Sequence, residues 1–143
     1  MTDVYFMQQA LREAAYAFDE GEVPIGAVVV CAGNIIAKAH NLTERLNDVT
    51  AHAEMQAVTM AANYLGGKYL NDCTLYVTFE PCVMCAGALA WAHIGRVVFG
   101  AYDDKRGFGR FAPKALHPKT ELVGGVMAQE CGEILQRFFS AKR

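Results

Sequence analysis

The sequence predicts an α/β fold in which one mixed sheet carries helices on its faces. Three observations point there. Apolar residues recur at helical spacing in several long segments, β-branched runs fall between them, and a tight turn signal joins the first two runs. The resulting order is α-β-β-α-β-α-β-(β)-α. Runs joined by a tight turn pair antiparallel, whereas β-α-β pieces pair in parallel, so roughly five strands are expected in a mixed sheet.

Residues 3–20 are Ala-rich, with Phe6, Ala10, Leu11, Ala14, Ala17 and Phe18 at helical spacing, and stop at Gly21. Residues 23–31 are apolar and β-branched. Ala32-Gly33-Asn34 supplies a turn, and residues 35–39 return as the partner strand. Residues 41–50 are polar and read as a loop. Residues 51–65 suit a helix closed by Gly66-Gly67. Residues 74–79 alternate as a strand does. Pro81 suits the first turn of a helix reaching about residue 94, because its missing N–H is not needed there. Residues 96–101 form a further strand, 103–120 a loop punctuated by Gly107, Gly109, Pro113 and Pro118, and 121–123 a short strand. Residues 127–141 form a last amphipathic helix through Cys131, Ile134, Leu135, Phe138 and Phe139.

A chain of 143 residues buries roughly two-thirds of its unfolded surface, and residues 1–143 are expected to form one domain. At 53% apolar and 20% charged, the composition excludes a disordered or low-complexity chain. No apolar run reaches the ~18 residues of a membrane span. Met1-Thr2-Asp3-Val4-Tyr5 lacks a secretory signal's basic start and apolar stretch, so a cytoplasmic protein without membrane association is expected. Of five cysteines, Cys31, Cys73 and Cys131 lie in apolar surroundings and read as small buried residues. The net charge of −2 is unevenly spread. Residues 1–95 hold four basic residues against ten acidic ones, and residues 96–143 nine against five. Five basic residues and no acid lie between Lys105 and Lys119. Such a run is either a solvated loop or a surface for a polyanion, whose released counterions drive binding.

Two segments carry chemistry: His52-Ala53-Glu54, and Pro81-Cys82-Val83-Met84-Cys85. Each lies at an expected helix start. Cys82 and Cys85, three apart, share one helix face, and a helix N-terminus favours the metal-binding thiolate. With His52 they give three zinc ligands, the count of a catalytic site whose fourth position stays open. Residues two apart on a helix point in nearly opposite directions. His52 and Glu54 therefore share a site only if His52 stands at the non-helical N-cap. Glu54 is then a carboxylate outside the ligand set, placed to take a proton from water and return it to a reacting group. A redox Cys-x-x-Cys leaves His52 and Glu54 unexplained. A structural zinc needs a fourth ligand, and His40, His93 and His117 all lack tight ligand spacing.

The pattern H-x-E … P-C-x-x-C is that of the zinc deaminases. Over nearly its whole length the sequence resembles bacterial tRNA-specific adenosine deaminases of the cytidine-deaminase-like superfamily. The likeness is strongest in EVPIGAVVV at residues 22–30, NDVTAHAE at 47–54, TLYVTFEPCVMCAG at 74–87 and IGRVVFGA at 94–101. It extends to the Phe138-Phe139 tail with Lys142-Arg143. The resemblance implies a three-layer α/β/α cytidine deaminase-like fold and one zinc per subunit. It implies a homodimer with sites near the subunit interface, and conversion of adenosine to inosine at the wobble position of a tRNA anticodon arm. It also implies substrate contacts from Asn41, from Asp103 and Lys105, and from Phe79, Pro81 and the hairpin around residues 24–28, including Val28.

The sequence departs from that family at His40, where Trp is common, at Tyr102, where Arg is common, and in the 106–120 loop. Trp91-Ala92-His93 is similar to guanine deaminases of the same superfamily, which makes a free-base or nucleoside deaminase the alternative, although a single Trp on an apolar helix is expected to pack in the core. A non-catalytic zinc-bearing subunit would be expected to lack Glu54.

Overall fold

The structure is a computed structural model describing residues 1–142; Arg143 of the basic tail lies outside the described residues. Five strands form one sheet in the order β2-β1-β3-β4-β5. Strands β1 (Gly26–Cys31) and β2 (Asn34–His40) form the hairpin, and β1 also pairs antiparallel with β3 (Cys73–Phe79). Strands β4 (Arg96–Ala101) and β5 (Glu121–Val123) add in parallel. The mixed sheet and its strand count are as the sequence predicts.

Helices α1 (Asp3–Asp19) and α5 (Ala128–Ala141) cover one face, and α2 (Ala53–Leu65) and α3 (Val83–Trp91) the other. Alternation along each strand sends side chains to both layers. Ala27, Val29, Leu75, Val77 and Val97 pack toward α2 and α3 with Leu89 and Ile94, whereas Val28, Val30, Tyr76 and Val98 pack toward α1 with Phe6 and Met7. Each fully buried Leu, Ile or Val is worth about 1.5–3 kcal/mol relative to exposure. That decides the fate of α3. Its nine residues fall below the ~12–15 at which an isolated helix becomes even marginal, so burial of Cys85, Ala86 and Leu89 holds it.

Local chemistry sets the ends. Thr2 Oγ1 accepts the Tyr5 N–H at 3.2 Å and caps α1. Gly26 lets α1 lie directly on β1, where a Cβ would strike the backbone of Ala10 and Ala14. Arg96 gives two 2.8 Å hydrogen bonds to the Asp3 carboxylate and one of 2.6 Å to Glu121, tying the start of α1 to β4 and β5.

Some boundaries differ from the sequence expectation. Strand β1 starts at Gly26 rather than residue 23, because Pro24 has no N–H to give and the Ile25 N–H turns back to Val23 O at 2.8 Å. Helix α3 begins at Val83 and ends at Trp91. His93 adopts φ +54°, its N–H reaches Ala90 O, and the Ile94 N–H reaches Leu89 O. That is a Schellman stop built on His where Gly is usual. The 103–120 loop contains a four-residue helix, α4 (Phe108–Phe111). Cys73 and Cys131 are buried as expected, whereas Cys31 is only half-buried.

Candidate active site

His52 is the N-cap of α2, extended at φ −73°, ψ 155°. This meets the condition that the two-residue spacing imposed, and His52 and Glu54 can face one site. The N-cap side chain makes no capping bond; Asn41 makes it instead, its Oδ1 accepting the Ala53 N–H at 2.8 Å. The loop before α2 is stitched by Asp48, which accepts from Thr50 N and Oγ1 at 2.8 and 2.7 Å. The buried Glu22 carboxylate accepts the backbone N–H groups of Glu44 and Arg45 at 3.0 and 2.8 Å.

Cys82 is likewise an extended N-cap, of α3, at φ −73°, ψ 173°. The helix does not include Pro81 and Cys82 as the sequence suggested, because both backbones are engaged elsewhere. Pro81 O accepts the Phe108 N–H at 2.9 Å, and Cys82 bridges Gly107.

His52 Nδ1 lies 3.7 Å from Cys82 Sγ and 3.4 Å from Cys85 Sγ, and the three ligand atoms all fall within 4.8 Å of one another. Zinc bonds of ~2.3 Å to sulfur and ~2.0–2.1 Å to nitrogen in a tetrahedron separate the ligand atoms by roughly 3.5–3.8 Å. The donor set fits zinc in kind and in size. Among the described residues no other His, Cys, Asp or Glu joins this cluster.

The electrostatics follow from proximity. A hydrogen bond from Cys85, reinforced by one with His52, holds the Cys82 thiol down at about 4. The same Cys82–Cys85 contact, together with burial, pushes the Cys85 thiol up. His52 is raised, chiefly by its hydrogen bond to Cys82. Glu54 is 4% exposed, and burial pushes its carboxyl up to about 7. Its carboxyl lies beside the Cys85 thiol. A carboxyl raised by burial next to a ligand cluster is what proton shuttling near neutral pH requires.

The expected substrate contacts divide. Asn41 is buried with Oδ1 committed to the cap; that bond fixes the amide's orientation and leaves Nδ2 as a free donor among the described residues. Asp103 is half-buried, and its Oδ1 accepts the N–H groups of Lys105 and Arg106 at 3.0 Å each. Lys105 is exposed, Pro81 is buried, and Phe79 is half-buried against the cluster beneath α1. Val28 is a correction. Its side chain is 0% exposed and belongs to the layer under α1, on the opposite face of β1 from α2 and α3; it has no surface to offer a substrate. Trp91 is the other correction: it is 84% exposed rather than packed in the core. At the far end of α3, six residues beyond Cys85, it stands about 9 Å along the axis from the nearest ligand. His40 bridges Glu13 and Glu20, and at the distal end His93 stacks on Tyr69 and meets the His117 ring at a tilt of 50°.

A pocket of about 260 Å³ opens beside the cluster, lined by Cys82, Val83, Met84, Arg106 and Phe111. Neither Phe111 as a pocket wall nor Glu80 as a contact of this loop follows from sequence spacing. Glycines at 107 and 109 are the only local sign of a close approach.

A family model for the cytidine and deoxycytidylate deaminase zinc-binding region matches residues 1–101. The tRNA-specific adenosine deaminase of Aquifex aeolicus is 55% identical over 97% of this chain and 95% of its own length. A solved structure from work on A-to-I editing by tRNA:A34 deaminases at the wobble position of transfer RNA superposes with a TM-score of 0.85. It is 44% identical and covers 91% of this chain and 98% of that one. A guanine deaminase structure from Bacillus subtilis superposes with a TM-score of 0.68, at 40% identity, over 71% of this chain and 66% of that one.

Proposed function

The chain belongs to the zinc-binding cytidine and deoxycytidylate deaminase family, and on that premise we propose that it is a hydrolytic deaminase converting adenosine to inosine at the wobble position of a tRNA anticodon. The observation that carries the chemistry is the three-ligand cluster of His52, Cys82 and Cys85 with the buried Glu54 beside it and outside it. The substrate follows from the near full-length likeness to tRNA-specific adenosine deaminases, which exceeds the partial likeness to the guanine deaminase.

Zinc, when held by the three ligands, supplies a Lewis acid with an open fourth position that brings the pKa of water to about 7. The chain's own groups do the rest. Glu54 takes one proton of the water that adds to adenine C6 and passes it to the ring nitrogen N1; it then takes the proton of the new C6 hydroxyl and gives it to the amine, which leaves as ammonia while the C6 carbonyl forms. Adenosine and water become inosine and ammonia. The Asn41 amide donates to the nucleoside from the capped edge of α2. Lys105 and Arg106 supply positive charge for flanking phosphates, and Asp103 fixes the turn that presents them.

The subunit acts as a homodimer in this reading. Met60, Tyr64, Val83, Met84 and Trp91 lie exposed on the α2–α3 layer, an apolar surface that a second copy would cover. We place the enzyme in the cytoplasm, with residues 1–143 as one catalytic domain. Among the described residues no helix is long and apolar enough to cross a membrane.

The test is incubation of zinc-loaded protein with an anticodon stem-loop carrying adenosine at the wobble position. Inosine and one equivalent of ammonia are expected. Turnover of free guanine with none of the RNA rejects the tRNA assignment and leaves the deaminase assignment intact.

A further inference from the structure

Glu80 stands at the end of β3, 8% exposed, with its backbone N–H fixed to Ala101 O at 2.8 Å. No basic side chain among the described residues pairs with it. Its two oxygens accept backbone N–H groups instead, Oε1 from Asp103 at 3.0 Å and Oε2 from Gly109 at 2.9 Å. The segment between them is wrapped around the carboxylate. A Cβ on Gly107 would stand 2.5 Å from Glu80 Cδ, and one on Gly109 would stand 2.9 Å from Oε2. The same segment is seated on the metal-binding turn: Gly107 bridges Cys82, and Phe108, 2% exposed, gives its N–H to Pro81 O. Arg106 and Phe111, within and just past the wrapped segment, are the two residues it contributes to the pocket beside Cys82. Phe111 is 59% exposed, with the Arg110 guanidinium 5.8 Å from its ring centre.

We infer that Glu80 is a positioning residue: its carboxylate clamps residues 103–109 onto the Cys82 turn and so holds Arg106 and Phe111 as a wall that receives the unpaired nucleotide next to the target base. The nucleotide half rests on the deaminase reading above; the clamp does not. An exposed aromatic ring beside guanidinium groups is the chemistry that stacks an unpaired base and holds its phosphate. A carboxylate is required because two facing N–H donors need two acceptor oxygens, and an amide offers one.

The experiment compares Glu80→Gln, Gly109→Ala, Phe111→Ala and the Glu80→Gln/Phe111→Ala double variant as zinc-loaded proteins. Zinc content, amide hydrogen exchange, and kcat and KM on the anticodon stem-loop are the readouts. Glu80→Gln is expected to keep one zinc per chain and to speed exchange across 103–109 by about tenfold or more, leaving β1 unchanged. It should raise KM by about tenfold, with kcat within about threefold. Gly109→Ala, which crowds the clamp without removing the buried charge, should do the same and serves if Glu80→Gln does not fold. Phe111→Ala should raise KM with unchanged exchange. The double variant should be no worse than the more severe single one, since one residue acts through the other. Unchanged exchange at 103–109 in Glu80→Gln, or in Gly109→Ala, overturns the clamp. KM effects that multiply in the double variant overturn its action through Phe111. Wild-type protein that neither binds nor deaminates the RNA overturns the nucleotide assignment, while the exchange result still decides the clamp.

Discussion

Asn41 Oδ1 and the Ala53 N–H lie 2.8 Å apart, so the residue just after β2 caps the helix that carries His52 and Glu54. The amide oxygen holds the helix start, and the proposed function assigns the nitrogen to the substrate. Asn41→Asp keeps an acceptor for the cap and removes the donor. It is expected to retain zinc and thermal stability but to lose roughly tenfold or more in kcat/KM. Asn41→Ala loses the cap as well, at a further cost of about 1 kcal/mol in stability. If Asn41→Asp turns over at the wild-type rate, Asn41 is a structural cap alone.

Glu54 supports two measurements. Glu54→Gln in zinc-loaded protein is expected to lower kcat by about 10²–10⁴, with zinc content unchanged. The second concerns metal-stripped protein. Burial raises the Glu54 carboxyl from 4.5 to about 7, so the folded chain binds that proton more tightly than the unfolded chain. The associated stabilisation is fully present below about 4.5 and lost as pH rises through about 7. Above that, the stripped wild type carries a penalty of order 3 kcal/mol. Glu54→Gln should then be more stable than stripped wild type at pH 8 by urea denaturation, and nearly equal at pH 4. Equal stability at both pH values removes the burial argument.

The ligand triad makes a sharper demand on metal content. Chelator-treated protein should lose all turnover and recover it with one equivalent of zinc per chain. Cys85→Ser places a poor zinc donor in a fully buried position, and should bind well under one zinc per chain at equal protein concentration. Retention of a full equivalent by that variant would mean that the ion sits elsewhere.

The metal ligands and Glu54 are legible in the sequence because each lies within three residues of a chemically matched partner. The His-x-Glu spacing sets the condition for a shared site, an extended His52, and the structure meets it. Glu22 and Glu80 are not legible, because their partners are backbone N–H groups more than twenty residues away and any residue type supplies such a donor. Helix α4 escapes because four residues between Gly107 and Ala112 give no periodicity. Val28 is misassigned for a different reason. Alternation shows that neighbours in β1 face opposite layers, but not which layer holds the site, and the odd-numbered residues are the ones that face α2 and α3.

The proposed homodimer rests on the exposed α2–α3 surface. Trp91 at 84% and Tyr64 at 69% exposure are too large and apolar to be left in water without consequence. Light scattering at micromolar concentration should give twice the chain mass. Tyr64→Glu together with Trp91→Glu should give one chain mass with zinc retained, since neither residue belongs to the ligand cluster. A wild-type monomer at those concentrations removes the homodimer from the functional reading.

Asp3 and Arg96 provide the clearest stability test remote from the site. The Asp3 carboxyl is held below its usual range, first by the Arg96 hydrogen bonds; burial opposes them as the next largest effect, and the Tyr76 hydroxyl lowers it further by less. Both side chains are about a third exposed, so solvent screens the pair and limits its value to about 1 kcal/mol. The lowered folded-state pKa sets the sign: the contribution is present above the ordinary carboxylate value of 3.8 and disappears as pH falls through the lower folded value. Asp3→Asn should therefore lower Tm by about 2–4 °C at pH 7, with the gap to wild type closing in acid. Because the bond joins the α1 terminus to β4 and not to the α2–α3 layer, kcat and KM below the melting range should be unchanged. A variant whose deficit persists undiminished at pH 2.5 would show that shape, and not the carboxylate's charge, is what Asp3 contributes.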